Sequence, residues 1–564
     1  MSSIPPAAVM ILGAVLVPLL RGRLRTAYVL ALPLAGLALV LSMGDTEFGK
    51  TTLFGYDMTL VRIDGLSRLF GWLFHIAAFI GLIFALRSPR NIEHPVALVY
   101  AGAAVGAVQA GDLITLFVFW EILAVSSVFL VWARAGERAF RAGMRYLVAQ
   151  VGSGALLLVG ILVYADAAGS VSFGDIGLDS PGGWLIMLAF GIKAAFPMLH
   201  TWLTDAYPES TFSGAVFLSA FTTKVAVYAL ARGFAGEDVL VWVGAAMTSF
   251  PIFYAVIEND LRRVLGYSMI NQLGFMVCGI GIGTELAVNG AVAHAFNDVL
   301  FKGLLFMSMG AVLYRTGNIN GSDLGGLYKS MPKTAGLCMV GAASISAFPL
   351  FSGFVSKSLV MGAALYEGYD VVWLMLLFAS AGVFHHAGIK IPFFAFFSHD
   401  SGIRVKEAPG SMLIAMTVAA VLSMVNGIWP TLFLYPNLPY EVTYQPFTSA
   451  HVISQIQILF FSALAFCGLK LTGLYPPELR SVNLDVDWIV RRPLRRFALS
   501  LGGAGMALRG LVVRSGMAVT NRVVRTAERR TGPGGVLERT WSTSVSVLWA
   551  AALLAFLLIL YFVR

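Results

Sequence analysis

Four lysines stand inside stretches otherwise apolar enough to cross a bilayer: Lys193, Lys224, Lys357 and Lys390. A charge at the centre of such a stretch costs about 2.5 to 3.5 kcal/mol on insertion scales, so each needs a counter-charge or a wet cavity. Side chains kept there at that cost can take up and release protons. Glu121 belongs with them, as the one ionisable group between Asp112 and Arg134 in DLITLFVFWEILAVSSVFLVW. Lys193 is its expected counterpart, because opposite charges about 4 to 6 Å apart hold each other ionised. In AVAHAFNDVLFKGLLFMSMGAV, His294, Asp298 and Lys302 fall at i, i+4 and i+8, along one helical face. Successive levels are about 6 Å apart, a gap that water bridges, and His exchanges protons near neutrality. The spacing predicts a relay; the bland alternative is a polar face that ties helices together. His200 and His386 are accessory candidates, whereas His385 reads as packing.

Something must carry these groups through lipid. The chain has 564 residues, 58% of them hydrophobic and 12% charged, with a mean hydropathy of +0.80. At about 20 apolar residues per span, sixteen spans are expected, the first near 7–20 and the last at 543–563. They group as N-terminal spans in 1–95, a five-helix unit in 96–233, a second in 238–397 and two further spans in 411–473. A basic segment at 480–541 and the terminal helix at 543–563 follow. An odd number of spans per unit turns the second copy upside down relative to the first.

Each unit has a fourth span holding a proline and a lysine, GIKAAFPMLHTWL and ISAFPLFSGFVSK, and a fifth with another lysine, TTKVAVYALAR and HHAGIKIPFF. Proline inside a helix removes a hydrogen bond and clashes with the preceding turn. Pro197, and the stretch from Pro349 to Gly353, should therefore break their helices beside a lysine, where freed backbone groups need new partners.

Basic residues recur on alternate loops: Arg21 to Arg25, Arg87 and Arg90, Arg134 to Arg145, Arg262 and Arg263, Arg315 to Lys333, Arg404 and Lys406. By the positive-inside rule these loops are cytoplasmic, which puts the N-terminus outside. The net charge of +9 is thereby a matter of topology and anionic lipid, with no nucleic-acid partner implied. Arginines beside an apolar pattern predict an amphipathic surface helix within 480–541; a basic linker, its helix weakened by glycines such as Gly502 and Gly503, is the alternative. Asp64 is expected to cap a helix.

Cys278, Cys338 and Cys467 show no metal-ligand spacing and read as packing residues. There is no phosphate-binding loop, dinucleotide fingerprint or iron–sulfur cysteine cluster. The expectation is a transport subunit without cofactor or metal, driven by an ion gradient or by partner subunits, and not an enzyme in its own right.

GIKAAFPMLHTWLTDAYPE, TTKVAVYALAR, GYSMINQLGF, KGLLFMSMGAV and ISAFPLFSGFVSK together resemble the proton-conducting antiporter family. That family includes the large membrane subunits of respiratory complex I and the A and D subunits of Mrp-type sodium/proton antiporters. The resemblance runs from about residue 60 to residue 400, and KAAFPMLHTWL with DAYPE is most similar to the D branch of the Mrp type. It implies an all-α polytopic fold of about fourteen core helices, two inverted five-helix repeats with broken helices, and extra C-terminal helices. Glu121 then matches the fifth-helix glutamate, Lys193 the lysine of the first broken helix and Lys224 the central eighth-helix lysine. His294 and Lys302 match the eleventh-helix pair, and Lys357 the ionisable residue of the second broken helix. Asp298 stands where many relatives have a second His.

The implied function is a proton-translocating subunit of a multisubunit monovalent cation/proton antiporter in a bacterial cytoplasmic membrane. A redox-driven complex of the complex I or hydrogenase type is the alternative, and a carrier for an anionic solute the second. The expected route takes a proton from the cytoplasmic side past Lys193 and Lys224, along His294 and Lys302, and out through Lys357 and Lys390.

Overall fold

Long apolar runs leave the backbone no partner in lipid but itself, and it closes into helices. The computed structural model describes residues 4–53, 55–480, 483–535 and 541–563. It divides into two compact units, one ending at Asn483 and one starting at Leu484.

The first unit opens with α1 (Pro6–Leu16) and α2 (Gly22–Ser42). A hairpin absent from the sequence expectations follows, β1 (Thr46–Leu53) against β2 (Tyr56–Ile63), antiparallel from Thr46↔Ile63 to Leu53↔Tyr56. Asp64 then caps α3 (Gly65–Ala85) as expected: its carboxylate accepts from the Ser67 amide, and Ser67 Oγ accepts from the Asp64 amide.

Next come α4 (Glu93–Val108), α5 (Leu113–Trp132), α6 (Glu137–Ala168), α7 (Gly183–Lys193), α8 (Thr201–Ala206), α9 (Gly214–Ala220) and α10 (Thr222–Gly233). A similar order follows in α11 (Asp238–Ile257), α12 (Leu261–Ile282), α13 (Glu285–Thr316), α14 (Pro332–Ile345), α15 (Ser352–Tyr366), α16 (Asp370–Val383) and α17 (Lys390–Pro392). Details recur between the two runs. Asp112 caps α5 and bridges to Ser172, while Asp260 caps α12 and bridges to Asn320. α6 and α13 each have 32 residues. The unit ends with α18 (Gly410–Ile428) and α19 (Ser449–Leu471).

Among the described residues, thirteen helices are long and apolar enough to cross a membrane, and shorter apolar helices lie at Pro6–Leu19, Glu93–Val108 and Gly183–Lys193. The most deeply buried spans are α9–α10, α12 and α13, so the core of the unit is built where the candidate residues cluster. α11 and α12 approach closely because both are small at the contact: a Cβ on Gly244 would strike the Cys278 backbone, and one on Gly274 the Thr248 backbone. Cys278 and Cys338 are buried, whereas Cys467 is exposed, contrary to its reading as a packing residue.

In the second unit α20 (Asp487–Ile489) leads through a π turn into α21 (Arg495–Thr531), with α22 (Thr543–Phe562) at the end. α21 is one continuous 37-residue helix despite its glycines. Positions 481–482 and 536–540 of the expected 480–541 segment lie outside the described residues.

Candidate functional site

Both proline-marked spans break. Between α7 and α8, around Pro197, Ala195 and Met198 have φ of 62° and 68°; between α14 and α15, around Pro349, Ala347 and Leu350 have 59° and 74°. Such values strain residues that carry a Cβ. Each break frees carbonyls, and each finds donors. The Ile192 carbonyl takes Trp202 Nε1 at 2.9 Å, and the Ile345 carbonyl takes Lys357 Nζ at 2.8 Å. Gly353 is required by space, since a Cβ there would overlap the Ser344 carbonyl oxygen. A third interruption went unnoticed in the sequence: α9 and α10 are parted at Phe221, with φ −108° and ψ −66°. The Thr222 amide there donates to Tyr100 Oη at 3.1 Å, and the freed Ser219 carbonyl accepts from Lys224 Nζ at 3.2 Å.

Lysines at broken ends thus meet backbone oxygen. Lys193, the last residue of α7, donates to the Trp120 carbonyl at 2.7 Å, its ammonium 4.4 Å from the centroid of the Trp120 ring. Glu121, expected to pair with it, follows Trp120 on α5 and is close enough for its charge to act on Lys193. The hydrogen bond nevertheless goes to the carbonyl. Consecutive helical residues point about 100° apart, and Glu121 is turned toward Gly154 and an apolar groove of about 690 Å³ lined by α1, α4 and α5 residues such as Val15, Val96 and Val125.

The centre differs more from expectation. Asp298 makes its hydrogen bond not to Lys302 but to Lys224: its Oδ2 accepts from Lys224 Nζ at 2.6 Å, and both side chains are 0% exposed. Lys302 turns to Ser268 Oγ at 2.8 Å. His294 meets Ser356 Oγ through Nδ1 at 2.9 Å and Gln272 Oε1 through Nε2 at 3.1 Å. The three groups of α13 therefore face three neighbours, α10, α12 and α15, and not one another in single file. Lys357 lies 5.1 Å from the centroid of Phe275. Lys224, His294, Asp298, Lys302 and Lys357 form one buried group, each charge acting on others in the set.

Ser268, Asn271 and Gln272 of α12 add polar groups beyond the expected set, and the three polar residues within apolar GYSMINQLGF are their sequence signal. Gln272 Nε2 donates to Asn271 Oδ1, and Asn271 Nδ2 to the Thr248 carbonyl, both at 2.5 Å. Asn426 Nδ2 likewise donates to Asn297 Oδ1 at 3.1 Å.

Lys390 stands apart from this centre. It is buried between two π turns, Phe384–Ile389 and Phe393–Phe397. Its ammonium donates to the carbonyls of Ala255, Val256 and Glu258 at 3.2, 2.6 and 2.7 Å, and lies 3.0 Å from Glu478 Oε1. Those carbonyls end α11, just before Arg262 and Arg263 in the loop expected to be cytoplasmic. Lys390 thus sits at the Arg262–Arg263 end of the unit. Nothing in the sequence pointed to Glu478, which lies beyond the last span of the unit. His386 is buried on the first π turn. His200 precedes α8 and packs on Phe250, ring centroids 4.8 Å apart.

The family described as NADH:quinone oxidoreductase/Mrp antiporter, TM matches residues 110–385, the stretch holding these groups up to Lys357. The chain is 33% identical over 346 residues to NADH-quinone oxidoreductase subunit N of Desulforudis audaxviator, covering 56% of this chain and 69% of that protein. It is 25% identical over 386 residues to the D subunit of the Na(+)/H(+) antiporter of Bacillus subtilis, covering 62% and 77%. The solved Mrp complex of Dietzia sp. DQ12-45-1b contains a chain of the same fold, with TM-score 0.68 and 22% identity over 76% of this chain and 95% of that one. So does the archaeal membrane-bound sulfane sulfur reductase, with TM-score 0.71 and 22% identity over 98% and 99%. This polytopic all-α membrane protein belongs to the NADH:quinone oxidoreductase/Mrp antiporter transmembrane family.

Proposed function

We propose that the chain is the proton-translocating subunit of a multisubunit monovalent cation/proton antiporter. Protons move between Lys193, Lys224, Lys302, Lys357 and Lys390, with Glu121, Asp298 and His294 setting which lysine holds charge. The observation that carries this reading is the buried Lys224–Asp298 pair with Lys302, His294 and Lys357 around it. A buried ion pair alone is weak support for any role. Here three helix breaks open beside the lysines, and an apolar core of the same shape would hold together without these charges. An anionic-solute carrier fits less well, because the ammonium groups are taken up by carbonyls, a hydroxyl and carboxylates of this chain and do not converge on one cavity. Residues 96–233 and 238–397 serve as the paired units of the pathway, in a bacterial cytoplasmic membrane with the N-terminus outside and other membrane subunits alongside.

The test is proton movement in vesicles containing the assembled complex. Lys224→Ala should abolish it while assembly persists, and intact transport would exclude the central group. Glu121→Gln should reduce transport strongly; a change in thermal stability alone would leave Glu121 a structural residue. The 33% identity to an oxidoreductase subunit favours, as a second reading, a complex in which redox partners supply the energy. Transport by the purified complex on a sodium gradient without an electron donor would decide against it.

A further inference from the structure

Beyond α19 the chain folds back over the Lys390 end of the first unit. Tyr475 stacks on His385, ring centroids 5.5 Å apart and planes at 18°, and packs against Phe466 and Phe394. Arg480 reaches Asp323 at 2.7 Å, and Asn483 donates to Glu258 Oε2 at 3.1 Å. Between these anchors Glu478, its side chain 6% exposed, approaches Lys390. The three N–H donors of the ammonium already have three carbonyls. Glu478 is therefore not needed to satisfy Lys390 and contributes charge.

We propose that Glu478 is a positioning residue for Lys390, and that the strap at 475–480 is a pH-sensitive latch that closes this end of the charged pathway while the two are paired. The proposal rests on the relay reading above and extends it to control of access. The strap is irregular chain between anchors, so it can lift without unwinding a span. π turns beside a lysine allow the local helix to readjust when the pair opens. The charged and titratable groups around Glu478 are Lys390 of α17, Lys470 near the end of α19, Glu258 after α11 with Arg263 of α12 on it at 3.7 Å, and Tyr475 with His385 behind it. Burial pushes the Glu478 carboxyl up from its ordinary range, while Lys390 and Lys470 pull it down. Protonation of Glu478 removes the attraction that holds the strap, and deprotonation restores it.

The experiment compares the wild-type complex with Glu478→Gln in vesicles, recording proton transport across pH. Gln copies the protonated carboxyl at every pH, so the profile should flatten, with the rate at alkaline pH raised several-fold. A profile superimposable on wild type overturns the proposal. Should the variant fail to assemble, hydrogen exchange of residues 475–480 in the wild-type complex decides. After correction for chemical exchange, protection should fall as the pH is lowered and the Glu478 carboxyl takes up its proton, and unchanged protection overturns the latch. Lys224→Ala, measured in parallel, separates the two readings. Retained transport there removes the relay but leaves the exchange result standing, whereas loss there with a wild-type profile for Glu478→Gln removes the latch alone.

Discussion

The lysines in the core have three kinds of partner, and the partner decides what removal of each does. Lys193 and Lys357 sit on carbonyls, Lys302 on a hydroxyl and Lys224 on a carboxylate. Removing one member of a buried ion pair strands the other charge, at a cost of about 3 to 5 kcal/mol. Asp298→Ala should accordingly lower the thermal midpoint of the detergent-solubilised protein markedly. Combining it with Lys224→Ala should recover much of that loss without restoring transport. A double variant as unstable as Asp298→Ala would show that the pair is not the source of the effect. The presence of charged groups was legible in the sequence; their pairing was not. Asp298 lies one helical turn from both His294 and Lys302, yet its acceptor faces a neighbouring helix.

At the scale of elements, the breaks free carbonyl oxygens inside an apolar core, which then accept from side chains such as Lys357 and Trp202. The α14–α15 break depends on Gly353, where a Cβ would overlap the Ser344 carbonyl. Gly353→Ala should destabilise the protein by about 1 to 3 kcal/mol and lower transport as well, since the break also presents the Ile345 carbonyl to Lys357. Thermal unfolding and vesicle transport read the two effects separately, and an unchanged midpoint would show that the break has room to spare. Prolines announced two of the three breaks. The Phe221 break carries neither proline nor glycine at its centre, and it depends on Tyr100 reaching across from α4 to bond Thr222.

Across the molecule, the first unit ties its far segments together at the Arg262–Arg263 end by polar contacts in loops. Asp323 is held below the usual carboxylate range, by Asn318 first and then by Arg480. A carboxyl with a depressed folded pKa contributes stability at pH above its ordinary value, and loses it as pH falls through the folded one. The Asp323–Arg480 anchor of the strap should thus be unaffected between neutral and alkaline pH and released only well below about pH 4. Asp323→Asn should loosen residues 475–480 at neutral pH, seen as faster hydrogen exchange confined to that segment. No change there would mean that Tyr475 and Glu478 hold the strap by themselves.

The sequence alone determined where the chain crosses the bilayer, which crossings carry charge and which are broken by proline. These are local properties: hydropathy over a span, an ionisable side chain within it, and a residue that lacks an amide hydrogen. The tertiary structure alone decided which oxygen each ammonium meets, that Lys390 shares an end with Arg262 and Arg263, and that Glu478 returns to it. Every residue offers the same carbonyl, so only the packing of separate helices selects among them.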